Sequence, residues 1–218
     1  MDYYQLGYYL NFFFTKININ DILTNEIFIL FDKECKACLH ELITFVNDIR
    51  EGKDHDIVMN FKNLDIHHDI CMSKTSNNNG WKGIWFRFFG KNTIHLTKVP
   101  VLKKLLTSDL GDIIFNCSIS ILGRNSNIPW HHGQTRVLYK YHLPLYVPKG
   151  DCGLKILTPE VEIIKWEVGN SYILDDTFEH TAWNHTNEDR YILLLDLYRP
   201  LGTIEEILVR KLVTYCEI

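Results

Sequence analysis

Two separate stretches of the chain place histidines where they could bind a metal ion. His131 and His132 lie side by side in "IPWHHGQTRVLYKYHLPLYVP", and "ILDDTFEHTAWNH" contributes His180. Iron that performs oxygen chemistry is typically bound by two histidines and one carboxylate. That carboxylate is expected two residues after the first histidine, where this sequence has Gly133. Three interpretations are open: an impaired iron site, a zinc site, or an iron site that works without the carboxylate.

An arginine follows the second histidine at a distance of ten residues. Arg190 opens the strand-like segment "RYILLLDLYR" after His180. A cation at the bottom of an apolar barrel needs an anionic partner. A dicarboxylate cosubstrate would be such a partner, with one end chelating the metal and the other bound by Arg190, and Ser120 would add a hydroxyl donor. The alternative interpretation is a surface ion pair of Arg190 with Glu188 or Asp189.

Two aspartates, Asp175 and Asp176, precede His180 by five and four residues. Either could orient a metal-bound water or the ring of a metal-binding histidine, and we select Asp176 as the candidate catalytic carboxylate. Asp-Asp-Thr is also good turn and cap chemistry, so a structural role stays open. His132 is a further candidate ligand, but adjacent side chains on an extended segment diverge. We therefore predict that His131 binds the metal and that His132 does not.

Short strand-like segments follow one another from residue 81 onwards, separated by Gly, Pro and Asn. The segments are "WKGIWFRFFG", "DIIFNCSISIL", "TRVLYKYHLPLYV", "GLKIL", "VEIIKW", "SYIL" and "RYILLLDLYR". Many short strands predict a sandwich or barrel. In a double-stranded β-helix, strands far apart in sequence become neighbours, so the two histidine stretches can converge. We predict a mainly β fold with flanking helices around such a jelly-roll, cupin-like core.

The first eighty residues have a different pattern. The aromatic start "MDYYQLGYYLNFFFTK" is expected to be core or interface, and residues 21–51 show helical spacing after a possible cap, Asp21. The polar, turn-rich stretch at 73–80 is the best internal boundary. It divides the chain into a helical or mixed region, 1–79, packed on the core, and a double-stranded β-helix domain, 80–218, that closes with a helix in "PLGTIEEILVRKLVTY".

The composition indicates which classes of protein and which kinds of binding partner fit this chain. The chain has 218 residues, and 46% hydrophobic content is ample for a packed core. A net charge of −4 argues against nucleic-acid binding. Neither a secretion signal nor a membrane-spanning apolar run is recognisable, so a cytoplasmic location is expected. Six cysteines are scattered, and the spacing of Cys35 and Cys38 is explained by one helix face more simply than by half of a zinc site.

The two histidine stretches together resemble one known family. "PWHHGQTRVLYKYHLPL", the later "DDTFEHTAWN", the arginine ten residues after its histidine and "LDLYRP" are similar to motifs of the aspartyl/asparaginyl β-hydroxylases. The resemblance covers roughly residues 80–202. It implies a double-stranded β-helix oxygenase that uses iron(II), 2-oxoglutarate and molecular oxygen. The animal members likewise have glycine at the position of Gly133, where water can occupy the vacant coordination position.

The resemblance also assigns roles to single positions. His131 and His180 match the two metal ligands, and Arg190 and Ser120 match the residues that bind the distal carboxylate of 2-oxoglutarate. Trp81 matches a tryptophan at the mouth of the cleft.

Three further positions lie on the strand after the first histidine. Lys140 and His142 are two residues apart, so they share one face, and both match positions beside the cosubstrate. Lys140 stands where the family often has arginine. At the position of Leu138 the animal enzymes have an arginine, which resembles one of the residues that bind the acidic group of their substrate. The site is therefore expected to take a less acidic or smaller substrate than theirs.

Several functions compete. A hydroxylase acting on an Asp or Asn side chain of a polypeptide ranks first, and one acting on a lipid or small molecule ranks second. The missing carboxylate slightly favours a non-catalytic binding module. Such a module, however, has no need of residues for both a metal and a cosubstrate. A zinc hydrolase with an aspartate as base leaves Arg190 and Ser120 without a role.

Overall fold

The computed structural model describes the residues in four ranges: 25–60, 80–133, 137–158 and 161–199. Four sequence-based expectations lie outside these ranges: the aromatic N-terminal stretch, the cap at Asp21, nearly all of the turn-rich boundary segment and the C-terminal helix. Among the described residues, no helix combines the length and the apolar character needed to cross a membrane. The division of the chain into two regions stays a prediction.

Two helices precede the barrel. α1 (Glu26–Ala37) begins at the N-cap Asn25, whose side chain accepts hydrogen bonds from two backbone N–H groups of the first turn. α2 (Leu39–Arg50) follows after a single residue, Cys38. The helical spacing predicted for this region is therefore realised as two helices. The break arises because the Cys38 N–H bonds to the oxygen of Cys35, three residues back, instead of continuing the α-helical ladder.

A third helix, α3 (Pro100–Leu106), lies between the first two predicted strand segments and was not expected from the pattern. Proline suits its first turn because the N–H missing there has no partner within the helix. The Glu41 carboxylate of α2 accepts the backbone N–H groups of Val101 and Leu102, so one helix caps the other. Three short 3₁₀ helices complete the described helical segments: His55–Ile57, Ile94–Lys98 and Asp109–Ile113.

The described strands form two antiparallel sheets. In chain order the strands are β1 (Met59–Asn60), β2 (Trp81–Phe88), β3 (Lys91–Asn92), β4 (Ile114–Leu122), β5 (Ser126–His131), β6 (Leu138–Tyr146), β7 (Cys152–Leu157), β8 (Val161–Ile164), β9 (Tyr172–Leu174), β10 (His180–Asn184) and β11 (Arg190–Tyr198). The larger sheet has the order β1-β2-β4-β11-β6-β9, with β3 paired to β2, and the smaller sheet has the order β5-β10-β7-β8. Strands far apart in sequence are neighbours in both sheets. The predicted fold class, a mainly β double-stranded β-helix with flanking helices, is confirmed.

The larger sheet packs on different partners at its two faces. Side chains alternate along each strand, so Tyr141 and Leu193 join Leu42 of α2 in one apolar core outside the barrel. Leu122 points the other way and packs with Leu154 of the smaller sheet in a second core. Every second residue of β4, β6 and β11 therefore faces the space between the sheets, and polar residues at those positions form the site.

All seven predicted strand segments contain a strand, but the pattern does not predict β5 or β10. β5 includes Pro129, which is unfavourable inside a ladder. β10 is only five residues long, and its pairing with β5 is irregular between His180 and Ala182. The two strands that carry the paired histidines are thus among those that the pattern misses.

Candidate active site

His131 and His180 meet at one end of the smaller sheet. His131 is the last residue of β5, His180 is the first of β10, and they are direct cross-strand partners with ring centroids 4.1 Å apart. The Nδ1 atoms lie 2.7 Å from the backbone oxygen of Pro129 and 2.9 Å from that of Phe178, respectively. Because a carbonyl oxygen only accepts, each Nδ1 carries the hydrogen. Each Nε2 therefore keeps its lone pair for a metal.

Both imidazoles are neutral near pH 7. Burial, together with the neighbouring His180, lowers the pKa of His131 to about 4. Burial also lowers the pKa of His180. Neutral imidazole is the form that binds metal. In the described part of the chain, no cluster of three or more His, Cys, Asp or Glu side chains is arranged to hold a metal, so the donors at this end are two histidines.

The neighbouring residue, His132, differs from His131 in exposure. Its side chain is exposed, and its Nδ1 lies 3.1 Å from the backbone oxygen of Gly133. The two adjacent side chains therefore lie in different environments, which is the behaviour expected of an extended backbone.

The space beside Gly133 is filled by a carboxylate from another strand connection. The Gly133 N–H donates to the backbone oxygen of Asp176 at 2.6 Å. A Cβ added to Gly133 would collide with the carboxylate of Asp176. Glycine is thus required by the closeness of Asp176, and this aspartate brings a carboxylate to the place where the usual iron pattern has a side chain on residue 133.

Asp176 belongs to a buried chain of polar groups on the larger sheet. Lys140 Nζ lies 3.6 Å from Asp176 Oδ2 and donates to Asp196 Oδ1 at 2.5 Å. Asn116 Nδ2 donates to the other oxygen of Asp196 at 2.8 Å. Burial by itself would lower the pKa of Lys140, but the two carboxylates outweigh burial and raise it. Burial raises the pKa of Asp176, and Lys140 opposes that rise. Lys140 is therefore a paired cation.

The preceding aspartate forms a separate buried ion pair. Arg199 Nη2 donates to Asp175 Oδ1 at 2.6 Å, and the two side chains are 1% and 2% exposed. The N–H and hydroxyl of Thr177 donate to the same oxygen, and the Tyr139 ring lies 3.9 Å from the guanidinium carbon. Burial would raise the pKa of Asp175, but the hydrogen bonds from Arg199 and Thr177 lower it overall. This pair fixes the connection between β9 and β10.

Arg190 lies at the start of β11, six residues from Asp196 along the strand. Its side chain is 2% exposed, and its Nε and Nη1 atoms have no hydrogen-bond partner among the described residues. The alternative of a surface ion pair is wrong, because Glu188 pairs with Arg50 at 2.9 Å and Asp189 accepts a backbone N–H at 2.9 Å. Burial lowers the pKa of Arg190 to about 10, so it remains a cation at neutral pH.

Two further unpartnered polar groups lie next to Arg190. The Trp166 ring centroid is 4.6 Å from the guanidinium carbon and 6.2 Å from the His142 ring centroid. Trp166 Nε1 and His142 Nδ1 are buried and have no partner within the described ranges. Burial lowers the pKa of His142, and the positive charge of Arg190 lowers it further, so His142 is neutral. Unpaired buried donors around a cation fit a bound carboxylate, which would satisfy them.

The remaining residues predicted for the site are also on the inner face. Trp81 Nε1 donates to Ser120 Oγ at 2.8 Å, so that hydroxyl is used as an acceptor and can still donate. Ser118, two residues earlier on the same face, has a buried hydroxyl without a partner in the described part of the chain. Leu138 is buried and shares the face of β6 that carries Lys140.

Sequence reasoning misses three residues that matter to this geometry: Asp196, Arg199 and Trp166. The first two lie in "LDLYRP", at the end of an apolar strand. A charged residue in an apolar strand indicates a buried partner of opposite charge, so the sequence contains a signal for these two residues. Trp166 ends the predicted strand segment "VEIIKW", but the strand stops at Ile164, and nothing in the pattern indicates that Trp166 reaches Arg190.

The fold and the site define a class: a double-stranded β-helix with two converging neutral imidazoles and a polar interior. Within that class, the chain belongs to the aspartyl/asparaginyl β-hydroxylase family, because the sequence model of this family matches residues 47–200. The family predicted from the sequence is confirmed.

Three relatives illustrate the range of the family. The ornithine lipid ester-linked acyl 2-hydroxylase of Rhizobium tropici is 35% identical over 82 residues, covering 38% of this chain and 29% of that protein. Aspartate beta-hydroxylase domain-containing protein 2 of Xenopus tropicalis is 30% identical over 175 residues, covering 69% and 46%. Human aspartyl/asparaginyl beta-hydroxylase is 32% identical over 81 residues, covering 37% and 10%. The chain thus spans less than half the length of each of these relatives.

Proposed function

We propose that the protein is an iron(II)- and 2-oxoglutarate-dependent hydroxylase. One arrangement carries the proposal: two neutral imidazoles with free Nε2 atoms share an interior with a buried arginine whose Nε and Nη1 have no hydrogen-bond partner among the described residues. A metal site alone has no need of the arginine, and an anion site alone has no need of the histidine pair. A keto acid that chelates a metal at one end and carries a carboxylate at the other uses both. Membership of a hydroxylase family supports the same reaction class.

The roles of the chain's own residues follow from their positions. His131 and His180 would hold iron(II) through Nε2, and Arg190 would bind the distal carboxylate of 2-oxoglutarate with Ser120 and His142 as further polar contacts. When bound, iron(II) and 2-oxoglutarate provide the oxidising chemistry that converts 2-oxoglutarate, O₂ and a substrate C–H bond into succinate, CO₂ and an alcohol. The protein contributes orientation and the exclusion of water from the interior of the barrel.

Asp176 would act on water rather than on the metal directly. Its carboxylate occupies the space beside Gly133, where it would accept a hydrogen bond from a water at the coordination position that lacks a protein carboxylate. Lys140, held between Asp176 and Asp196, keeps that carboxylate in place.

The substrate is proposed in two ranks. The family description favours an Asp or Asn side chain in a polypeptide. A specific observation favours a lipid acyl chain or other weakly polar molecule as the second candidate: Leu138 is buried and apolar, and Lys140, the nearest strand cation, is already paired with Asp196. The Rhizobium tropici relative is named as a lipid acyl hydroxylase, so this candidate has a precedent within the family.

An anaerobic titration tests the proposal. Iron(II) is added to the protein, followed by 2-oxoglutarate, and the weak visible charge-transfer band of the chelate is recorded. The band should form with the unaltered protein and be lost in His131→Ala and His180→Ala. Oxygen is then admitted with peptides that contain Asp or Asn, or with acyl lipids, and the addition of one oxygen atom is sought by mass spectrometry. Absence of the band would exclude the oxygenase, whereas a band without succinate formation would favour a non-catalytic binding module.

A further inference from the structure

The indole N–H of Trp166 is a buried donor to which the proposed reaction gives no role. Trp166 lies in the connection between β8 and β9, and its side chain is 5% exposed. Its Nε1 has no hydrogen-bond partner among the described residues. An indole N–H can only donate, and a buried donor without an acceptor is unfavourable. An acceptor is therefore expected to come from outside the described part of the chain.

Trp166 is in contact with the two other side chains that share this condition. Its ring lies 4.6 Å from the guanidinium carbon of Arg190 and 6.2 Å from the ring centroid of His142. Four buried atoms on these three side chains lack partners within the described ranges: Nε and Nη1 of Arg190, Nδ1 of His142 and Nε1 of Trp166. At least three of the four atoms are donors, and one side chain is a cation.

The chemistry that satisfies such a group is a carboxylate. It has two oxygens with several lone pairs, and it forms its strongest hydrogen bonds with charged or strongly polar N–H donors. A neutral hydroxyl or amide would leave the charge of Arg190 without a counter-ion in an apolar interior.

We infer that Trp166 is a further ligand-binding residue of this pocket. Its N–H donates to the carboxylate that Arg190 binds, and its ring face holds the guanidinium in position by a cation–π contact. The inference rests on the proposed function, because that function assigns the carboxylate as the distal one of 2-oxoglutarate.

The two roles of the indole can be separated by substitution. Trp166→Phe keeps an aromatic face for the guanidinium but removes the N–H. Trp183→Phe is the matched control, because Trp183 on β10 donates its N–H to Asp151 at 2.7 Å in an exposed cluster on the outside of the smaller sheet. Both variants lose one indole N–H, and only one of them loses it in the pocket.

Two ligands isolate the distal carboxylate. 2-Oxopentanoate has the same carbon chain as 2-oxoglutarate and carries a methyl group in place of that carboxylate. Binding of each ligand to the iron(II)-loaded protein is measured anaerobically by calorimetry. We expect Trp166→Phe to weaken 2-oxoglutarate binding by about 10- to 100-fold, the usual loss for a hydrogen bond to a charged group. Binding of 2-oxopentanoate should be unchanged in Trp166→Phe, and Trp183→Phe should change neither.

Three results would overturn the inference. Unchanged 2-oxoglutarate binding in Trp166→Phe would remove the N–H from the pocket. Equal weakening of both ligands would show that the indole only supports the surrounding structure. If the unaltered protein binds neither ligand, the proposed function itself fails, and that outcome is distinct from the first two because it needs no variant.

Discussion

Two groups of buried charges lie along the same strand, β11, and they differ in where their partners come from. Near the end of the strand the chain supplies both members: Asp196 accepts from Lys140, and Asp175 accepts from Arg199. At the start of the strand Arg190 is equally buried, but its Nε and Nη1 have no partner in the described part of the chain. We call the first the paired group and the second the unpaired group.

This difference distinguishes charged residues that stabilise the fold from charged residues that bind a ligand. A buried ion pair is costly to break because removing one member leaves an uncompensated charge. A buried cation without an internal partner weakens the free protein and is retained for what it binds. The paired group therefore positions the loop that carries Asp176 and His180. The unpaired group is expected to bind a carboxylate.

The largest expected effect is on stability, at the paired group. Arg199→Met leaves the Asp175 carboxylate buried without its cation, so the free energy of unfolding should fall by about 3–5 kcal/mol. Urea denaturation at neutral pH measures this. Lys98→Met is the matched control, because Lys98 pairs with Asp54 at the surface and such pairs contribute at most about 1 kcal/mol. A loss of less than about 1 kcal/mol in Arg199→Met would remove the distinction between the two groups.

The same variant carries a pH signature. The pKa of Asp175 is lowered in the folded protein, so its stabilisation is fully present above the unfolded pKa of about 3.9 and is lost as the pH falls through the folded value. The stability difference between the unaltered protein and Arg199→Met should therefore shrink below about pH 4. A difference that stays constant or grows on acidification would mean that the carboxylate is not the relevant partner.

A smaller effect is expected at Gly133, where the space beside the glycine is filled by Asp176, a neighbour of Lys140 in the paired group. Gly133→Ala places a methyl group against the Asp176 carboxylate, and such overpacking costs about 1–3 kcal/mol. Asp176→Gly should relieve the collision, so the two substitutions should be strongly non-additive in a double-mutant cycle. The free energies of unfolding of both single variants and the double variant provide the measurement. Additive effects would mean that something other than Asp176 requires glycine at position 133.

The smallest effect is expected at His132. This side chain is exposed and belongs to neither group, so His132→Ala should change the free energy of iron(II) binding by less than about 0.5 kcal/mol. His131→Ala and His180→Ala should abolish binding, because each removes one of the two imidazoles that face each other. Anaerobic calorimetry on the three variants decides this. Equal damage from His132→Ala in a folded protein would show that the ligand set is wrong.

The sequence predicts the fold and much of the site because the relevant signals are local. Alternation of apolar residues marks β4, β6 and β11, and Lys140 and His142 must share a face because they are two residues apart on a strand. The family motifs around His131 and His180 add which strands converge. Those signals are enough to place a two-histidine site in a double-stranded β-helix.

What the sequence does not predict depends on contacts across the barrel. The close approach of Asp176 to Gly133 joins two connections that are 43 residues apart, and no residue pattern in either segment predicts it. The pairing of Lys140 with Asp196 is hidden for the same reason, since it requires the register between β6 and β11. Trp166 lies in an irregular connection, so only the folded chain brings it to Arg190.

One measurement tests the contrast between the two groups most directly. The free energy of unfolding of the iron(II)-loaded protein and of Arg190→Met is determined anaerobically, with and without 2-oxoglutarate. Without the ligand, Arg190→Met should be at least as stable as the unaltered protein, because the substitution removes a buried charge that has no internal partner. At a concentration 100 times its Kd, 2-oxoglutarate should stabilise the unaltered protein by about 2.7 kcal/mol, and the same concentration should stabilise Arg190→Met far less. A variant that loses about 3 kcal/mol or more without any ligand would contradict the account, because Arg190 would then be a structural cation like Arg199.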